Sequence, residues 1–260
     1  MDINCDMGES FGVYAMGRDR EVMPHITSAN VACAWHAGDP AVMRATVELA
    51  ADHSVGVGAH PGYPDLLGFG RRRMDCSPQE TADYVLYQIG ALQAFCRSRG
   101  TSLQHVKPHG ALYHAVMEDP ELGRAVAEAV RQADPKLIIM TLAGPKGEGM
   151  AEMCREAGVR VAREAFPDRA YKPDGTLASR AEKGAVLHDP EEIARRALYM
   201  ARDQVALTPE QEMVPVQAQT LCVHGDSPEA VQAVRSIEET LRENGILPAP
   251  LQELFFQHDS

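Results

Sequence analysis

Seven short apolar stretches of this chain each run directly into a cluster of polar, chemically capable residues, a repetition that leaves few folds open to it. The clusters are Asn4-Cys5-Asp6-Met7-Gly8-Glu9, His36-Ala37-Gly38-Asp39, Gly58-Ala59-His60-Pro61-Gly62, Lys107-Pro108-His109-Gly110, Ala143-Gly144-Pro145-Lys146, Glu164 to Arg169, and His224-Gly225-Asp226. Their leads are strand-like, as in Ser54-Val55-Gly56-Val57 and Leu137-Ile138-Ile139-Met140, and helical stretches follow most of them. Chemistry repeated at the exits of alternating strands and helices points to a parallel α/β barrel, in which the active site gathers at the carboxyl ends of the strands.

Helix starts support that alternation. Asp39-Pro40, Ser77-Pro78, Asp119-Pro120, Asp189-Pro190 and Ser227-Pro228 each set a capping residue before a proline at the first helical position. Ser77 with Glu80 has the spacing of a capping box. Apolar stripes follow at helical intervals: Ala82, Val85, Leu86, Ile89 and Leu92, then Val231, Val234, Ile237 and Leu241. The pattern predicts strands near 2–6, 27–35, 54–60, 103–109, 136–142, 159–166 and 219–224. Helices are expected over 40–53, 78–99, 119–132, 147–157, 190–204 and 228–244. Seven strands fit a slightly open (β/α)7 TIM-like barrel better than the eight-stranded form. One α/β barrel domain over 1–250 and a short tail over 251–260 are expected, with two long connections, 61–76 and 167–189, as lids or binding loops.

Composition narrows the partners. A net charge of −12 over 260 residues argues against nucleic acid and anionic membrane. The six cysteines form no Cys-x-x-Cys pair, as expected of reduced thiols in a cytoplasmic protein. The chain starts in a strand, with no basic and apolar leader. No apolar run approaches the length of a membrane span.

The candidate catalytic residues are Asp6, Glu9, His36, His60, Lys107, His109, His224 and Asp226. Asn4, Arg71, Arg72 and Arg169 are candidate substrate contacts. Asp6 and Glu9 can divide metal binding and acid–base work at one strand exit. Asp39 reads as a helix cap before a function. Lys107 and His109, two apart, face one side of a strand, and an inward lysine needs an acid or a substrate beside it. The Arg71–Arg73 run suits a carboxylate or phosphate. Gly144 to Gly149 lacks the Gly-x-x-x-x-Gly-Lys-Ser/Thr pattern, so nothing here is a strong nucleotide motif.

In this order the motifs resemble the LamB/YcsF family over roughly residues 2 to 247. The segments that carry the likeness are Asn4 to Ser10, Thr27 to Asn30, His36 to Asp39, Gly58 to Asp65, Gly70-Arg71-Arg72, His105 to Tyr113, Phe166 to Tyr171 and Cys222 to Asp226. The resemblance implies a barrel distantly similar to metal-dependent carbohydrate deacetylases of the glycoside hydrolase/deacetylase superfamily. It implies the A subunit of an ATP-dependent 5-oxoprolinase, opening the 5-oxoproline lactam to glutamate together with B and C subunits. Asp6, His60 and His109 best match the deacetylases' divalent-metal triad. A stand-alone metal-dependent amidohydrolase on an N-acyl compound, a non-catalytic substrate-binding subunit, and a homo-oligomer stay open. The chain departs from the family at Cys33-Ala34-Trp35, where Cys-Gly-Phe is usual, at Pro145, where Ser is usual, and at His114, where Asn is usual.

Overall fold

A computed structural model describes residues 1–179, 182–223 and 228–256. Seven parallel strands close into a barrel: β1 (Asp2–Met7), β2 (Ser28–Ala32), β3 (Gly56–His60), β4 (Leu103–Val106), β5 (Ile138–Leu142), β6 (Arg160–Ala165) and β9 (Thr220–Val223). The expected slight opening is absent, because β9 pairs with both β6 and β1 (Glu164 with Thr220, Asn4 with Cys222) and completes the ring. A small antiparallel ribbon outside it, β7 (Val205–Leu207) and β8 (Met213–Pro215), was not expected.

Helices wrap the barrel: α2 (Pro40–Asp52), α3 (Pro78–Ser98), α4 (Gly110–Glu118), α5 (Pro120–Ala133), α6 (Pro145–Glu156), α7 (Pro190–Leu198) and α8 (Pro228–Glu243), after a one-turn α1 (Asp19–Val22). Their starts follow the caps read from sequence. Asp39, Asp119 and Asp189 each accept hydrogen bonds from first-turn amides, and Ser77 with Glu80 forms the full capping box. The expected cap at Ser227 lies outside the described residues. The helical stripes Val85, Ile89, Leu92, Val234, Ile237 and Leu241 bury against Ile3, Val31, Val57 and Ile139, which point outward from the strands. This layer is the apolar core.

Inside the ring, residues of β1, β2, β4 and β9 form stacked polar tiers. Asp2, Asn4 and Asp6 alternate along β1 and face inward. At the lowest tier the Asp2 carboxylate accepts from the hydroxyls of Thr27, Ser28 and Thr220. In the middle tier Asn4 donates to Thr220 at 2.7 Å, Asn30 donates to Asn4 at 2.7 Å, and His105 Nε2 meets Asn30 Oδ1 at 2.7 Å. Asp6 and Lys107 form the upper tier.

Two glycines make room for this stack. A Cβ on Gly56 would overlap the Gln104 amide, and one on Gly58 the His105 ring. The pairing of β3 with β4 shifts register at Val57/Gly58, so consecutive residues Gln104 and His105 both reach inward, to Ser28 and Asn30. The amino end of the barrel is plugged by α9 (Leu251–Phe256). Leu251 is fully buried against Ile138, Met140 and Ala162, and the Gln252 amide donates to the Gln104 side chain. The strand exits lie at the opposite end of the barrel.

Candidate active site

The strand exits bring together most of the residues expected there. Asp6 ends β1, His60 ends β3, and Glu164 lies near the end of β6. β4 stops at Val106, because Pro108 cannot continue the ladder. Lys107 and His109 nonetheless converge on the strand-exit cluster, Lys107 at Asp6 and His109 at His60. The Lys107 amide still bonds Ala59 at 2.9 Å, and the His109 amide bonds Pro61 at 2.8 Å. His109 then caps α4, a helix not expected from the sequence.

Lys107 is the hub. Its ammonium donates to Asp6 Oδ1 at 3.1 Å, Asn4 Oδ1 at 3.3 Å and Cys222 Sγ at 3.0 Å, and pairs with Glu164 Oε2 at 3.0 Å. Burial opposes its charge, but the Asp6 and Glu164 carboxylates outweigh it and hold the lysine well above the usual range. Cys222 stays a thiol, because burial pushes it far up. Phe166 covers the lysine, its ring centre 5.7 Å from the ammonium.

A histidine cluster lies beside this hub. His60 Nδ1 faces the Lys107 carbonyl at 2.7 Å, and His60 Nε2 lies 3.4 Å from Asp6 Oδ2. His109 Nδ1 is 2.9 Å from His60 Nε2, and its Nε2 faces the Phe69 carbonyl at 2.8 Å. His36 stacks flat on His109 at 3.7 Å, with Nε2 3.8 Å from Glu9 Oε1. Ligand atoms of Glu9, His36, His60 and His109 all lie within 4.8 Å of one another, a group able to hold a metal ion. Asp6, placed in the metal triad on the resemblance, falls outside that group, with Oδ1 engaged by Lys107 and Asn30.

The loop 61–76, expected as a lid or binding loop, is tied down along the edge of the site. The Gln88 amide clamps both backbone groups of Gly62, Gly70 receives the Ala111 amide, and Phe69 holds His109. Arg72 pairs with Asp65 of the same loop, and Arg71 lies over the Phe69 ring at 5.2 Å. Arg169 donates to the carbonyls of Ala178 and Ala185, so it fastens the 167–189 loop. Asp39 acts as the helix cap and also receives the Gly12 amide. His224 and Asp226 lie outside the described residues.

Four inward groups, Asn30, His105, Glu164 and Cys222, fell within the sequence motifs without being named as candidate site residues. Glu164 had a usable signal, an acid two residues before a Phe-Pro strand exit. His105 had one too, since a two-residue alternation puts it on the face of Lys107 and His109; the register shift hid Gln104 instead.

His105 supplies a pH prediction. Its Nδ1 is buried without a partner, and burial, with Lys107 nearby, lowers its pKa to about 3. An unfolded histidine titrates near ~6.5. Between those values the unfolded chain binds a proton that the folded chain refuses. Stability from this residue is complete above about pH 6.5 and is lost as pH falls toward about 3, at roughly 1.4 kcal/mol per pH unit. Urea unfolding across that range should show the slope, and His105→Gln should reduce it by about one proton.

The family model for LamB/YcsF matches residues 1–255. The chain belongs to the LamB/YcsF family. It is 53% identical over 251 residues to the A subunit of the 5-oxoprolinase of Pyrococcus furiosus, covering 96% of this chain and 97% of that one. The corresponding A subunit of Syntrophobacter fumaroxidans is 54% identical over 245 residues, covering 94% and 96%. Among solved structures, the lactam utilization protein of Thermus thermophilus superposes with a TM-score of 0.90 at 48% identity, covering 96% and 98%. Ala34 sits at a φ of 67°, the left-handed region that glycine enters freely.

Proposed function

We propose that this chain is the A subunit of an ATP-dependent 5-oxoprolinase and that its strand-exit cavity takes the lactam. The observation that carries the reading is the pairing of end-to-end likeness to 5-oxoprolinase A subunits with a buried ammonium set between two carboxylates at the strand exits. An unstrained, resonance-stabilised lactam resists water. Transfer of the ATP γ-phosphoryl group to the lactam oxygen makes the carbon attackable. Water then adds at that carbon, the C–N bond breaks with the nitrogen taking a proton, and a second water releases phosphate from the acyl phosphate. In this sequence the Lys107 ammonium faces negative charge growing on the lactam or phosphoryl oxygen. Asp6 accepts the proton of the attacking water. Asn4 steadies Lys107, while His60 and His109 border the reacting carbon.

The chain carries no strong nucleotide motif, so ATP is shared with or delivered by companion B and C subunits. No described helix is long and apolar enough to cross a membrane, and a cytoplasmic setting suits the six free cysteines and the ATP supply. Purified alone, the chain should release no glutamate from 5-oxoproline and ATP; with its companions it should. ATP-dependent glutamate release by the chain alone would refute the division of labour. A second reading, a metal-dependent amidohydrolase, is favoured by the Glu9, His36, His60 and His109 group. It requires turnover without ATP in the same assay.

A further inference from the structure

The geometry points to a zinc-class divalent cation site formed by Glu9, His36, His60 and His109, beside and distinct from the Asp6–Lys107–Glu164 charge cluster. The first observation is a mismatch of protons. A carbonyl oxygen only accepts, so His60 Nδ1 and His109 Nε2, facing Lys107 O and Phe69 O at 2.7 and 2.8 Å, both carry N–H groups. The inner nitrogens, His60 Nε2 and His109 Nδ1, then point lone pairs at each other across 2.9 Å. A cation between them resolves this.

The second observation is independent. His36 is fully buried, and neither of its nitrogens has a hydrogen-bond partner. A neutral imidazole keeps one ring nitrogen as a lone-pair acceptor. An imidazole kept dry, neutral and unpartnered is costly unless it serves as a ligand. It lies flat on His109, and Glu9 completes the group on its other side.

The fit is chemically specific. Zinc–nitrogen bonds of roughly 2.0–2.1 Å need neighbouring ligand atoms somewhat over about 3 Å apart, within reach of a group spanning 4.8 Å. Three imidazoles and one carboxylate favour borderline ions such as zinc or cobalt over magnesium. Outer nitrogens bound to carbonyls are the usual means of fixing ligand tautomers. Lys107 does not bar the ion, because Asp6 and Glu164 already face its charge. A bound ion would polarise a lactam or phosphoryl oxygen. The proposal relies on the 5-oxoprolinase reading only for the substrate.

The test is binding without substrate. The full chain, stripped with chelator, is titrated with zinc chloride by calorimetry and with cobalt chloride by visible absorption. One equivalent should bind, with cobalt d–d bands and no thiolate charge-transfer band, and zinc should raise the melting temperature. Glu9→Gln should weaken binding at least about tenfold, and His36→Ala, checked for folding by circular dichroism, should abolish the stoichiometric phase. Should the His36 variant not fold, the cobalt spectrum of the native chain decides. No stoichiometric uptake by the folded chain, thiolate-type bands, or uptake unchanged in folded His36→Ala would overturn the site. A metal-free chain that still supports glutamate release leaves the functional reading standing; a metal-loaded chain that is inert with its companions does the reverse.

Discussion

Replacing Lys107 with methionine is expected to lower glutamate release by the assembled enzyme at least about a hundredfold, the usual cost of deleting a preorganised charge at a reacting oxygen. The structure adds a second consequence. Lys107→Met keeps the stem but strands Asp6 and Glu164, which now share one ammonium at 3.1 and 3.0 Å. Breaking a buried ion pair from one side costs roughly 3–5 kcal/mol. Denaturant unfolding should therefore show a marked loss. Lys107→Met/Glu164→Gln should recover much of the stability and none of the rate. The split separates the two roles of the lysine. Near-native turnover by a folded Lys107→Met chain would make the residue structural only.

Gly58→Ala is expected to be the most damaging small change in the barrel wall. The added methyl would occupy the space of the His105 ring. That ring is fully buried and bonded to Asn30, so it has nowhere to retreat. Overpacking of this kind costs roughly 1–3 kcal/mol and sometimes more; with no free volume, the upper end is expected. The disturbance should also travel upward, because Asn30 bonds both Asn4 and Asp6. Turnover should fall along with stability. Gly58→Ala/His105→Ala should be more stable than the sum of the two single losses, since the second change vacates the space the first requires. Additive losses would mean that the glycine serves a different neighbour.

Both variants act on contacts that the sequence disclosed unevenly. The barrel was legible because each strand exit carries a proline, glycine or polar cluster and several of the following helices start at an Asp-Pro or Ser-Pro cap. The β1 alternation of Asp2, Asn4 and Asp6 against Ile3, Cys5 and Met7 is a direct signature of one face polar and one apolar. His36, His60, Lys107 and His109 were legible for the same reason, as polar groups at strand exits. Ring closure was not, since it depends on β6 and β9, which 54 residues separate, meeting in space. The register shift at β4 was hidden too, because it arises from the two glycines of the neighbouring strand. The fixed character of loop 61–76 depends on Gln88, a helix residue whose sequence position gives no hint that its amide clamps Gly62. Asp6 and Glu9 looked interchangeable as ligands. Only the geometry separates them, one facing Lys107 and the other facing His36.

The central claim, that the lactam is opened in this chain's strand-exit cavity, is tested most directly by Asp6→Asn. The substitution keeps the shape and can still receive the Lys107 hydrogen bond, but removes the carboxylate. Single-turnover release of labelled glutamate from 5-oxoproline would be measured with native companions and ATP, with assembly verified by co-elution. A drop of about a hundredfold or more in an intact complex is the predicted result. Release at the native rate from an intact Asp6→Asn complex would contradict it and move the chemistry to another subunit.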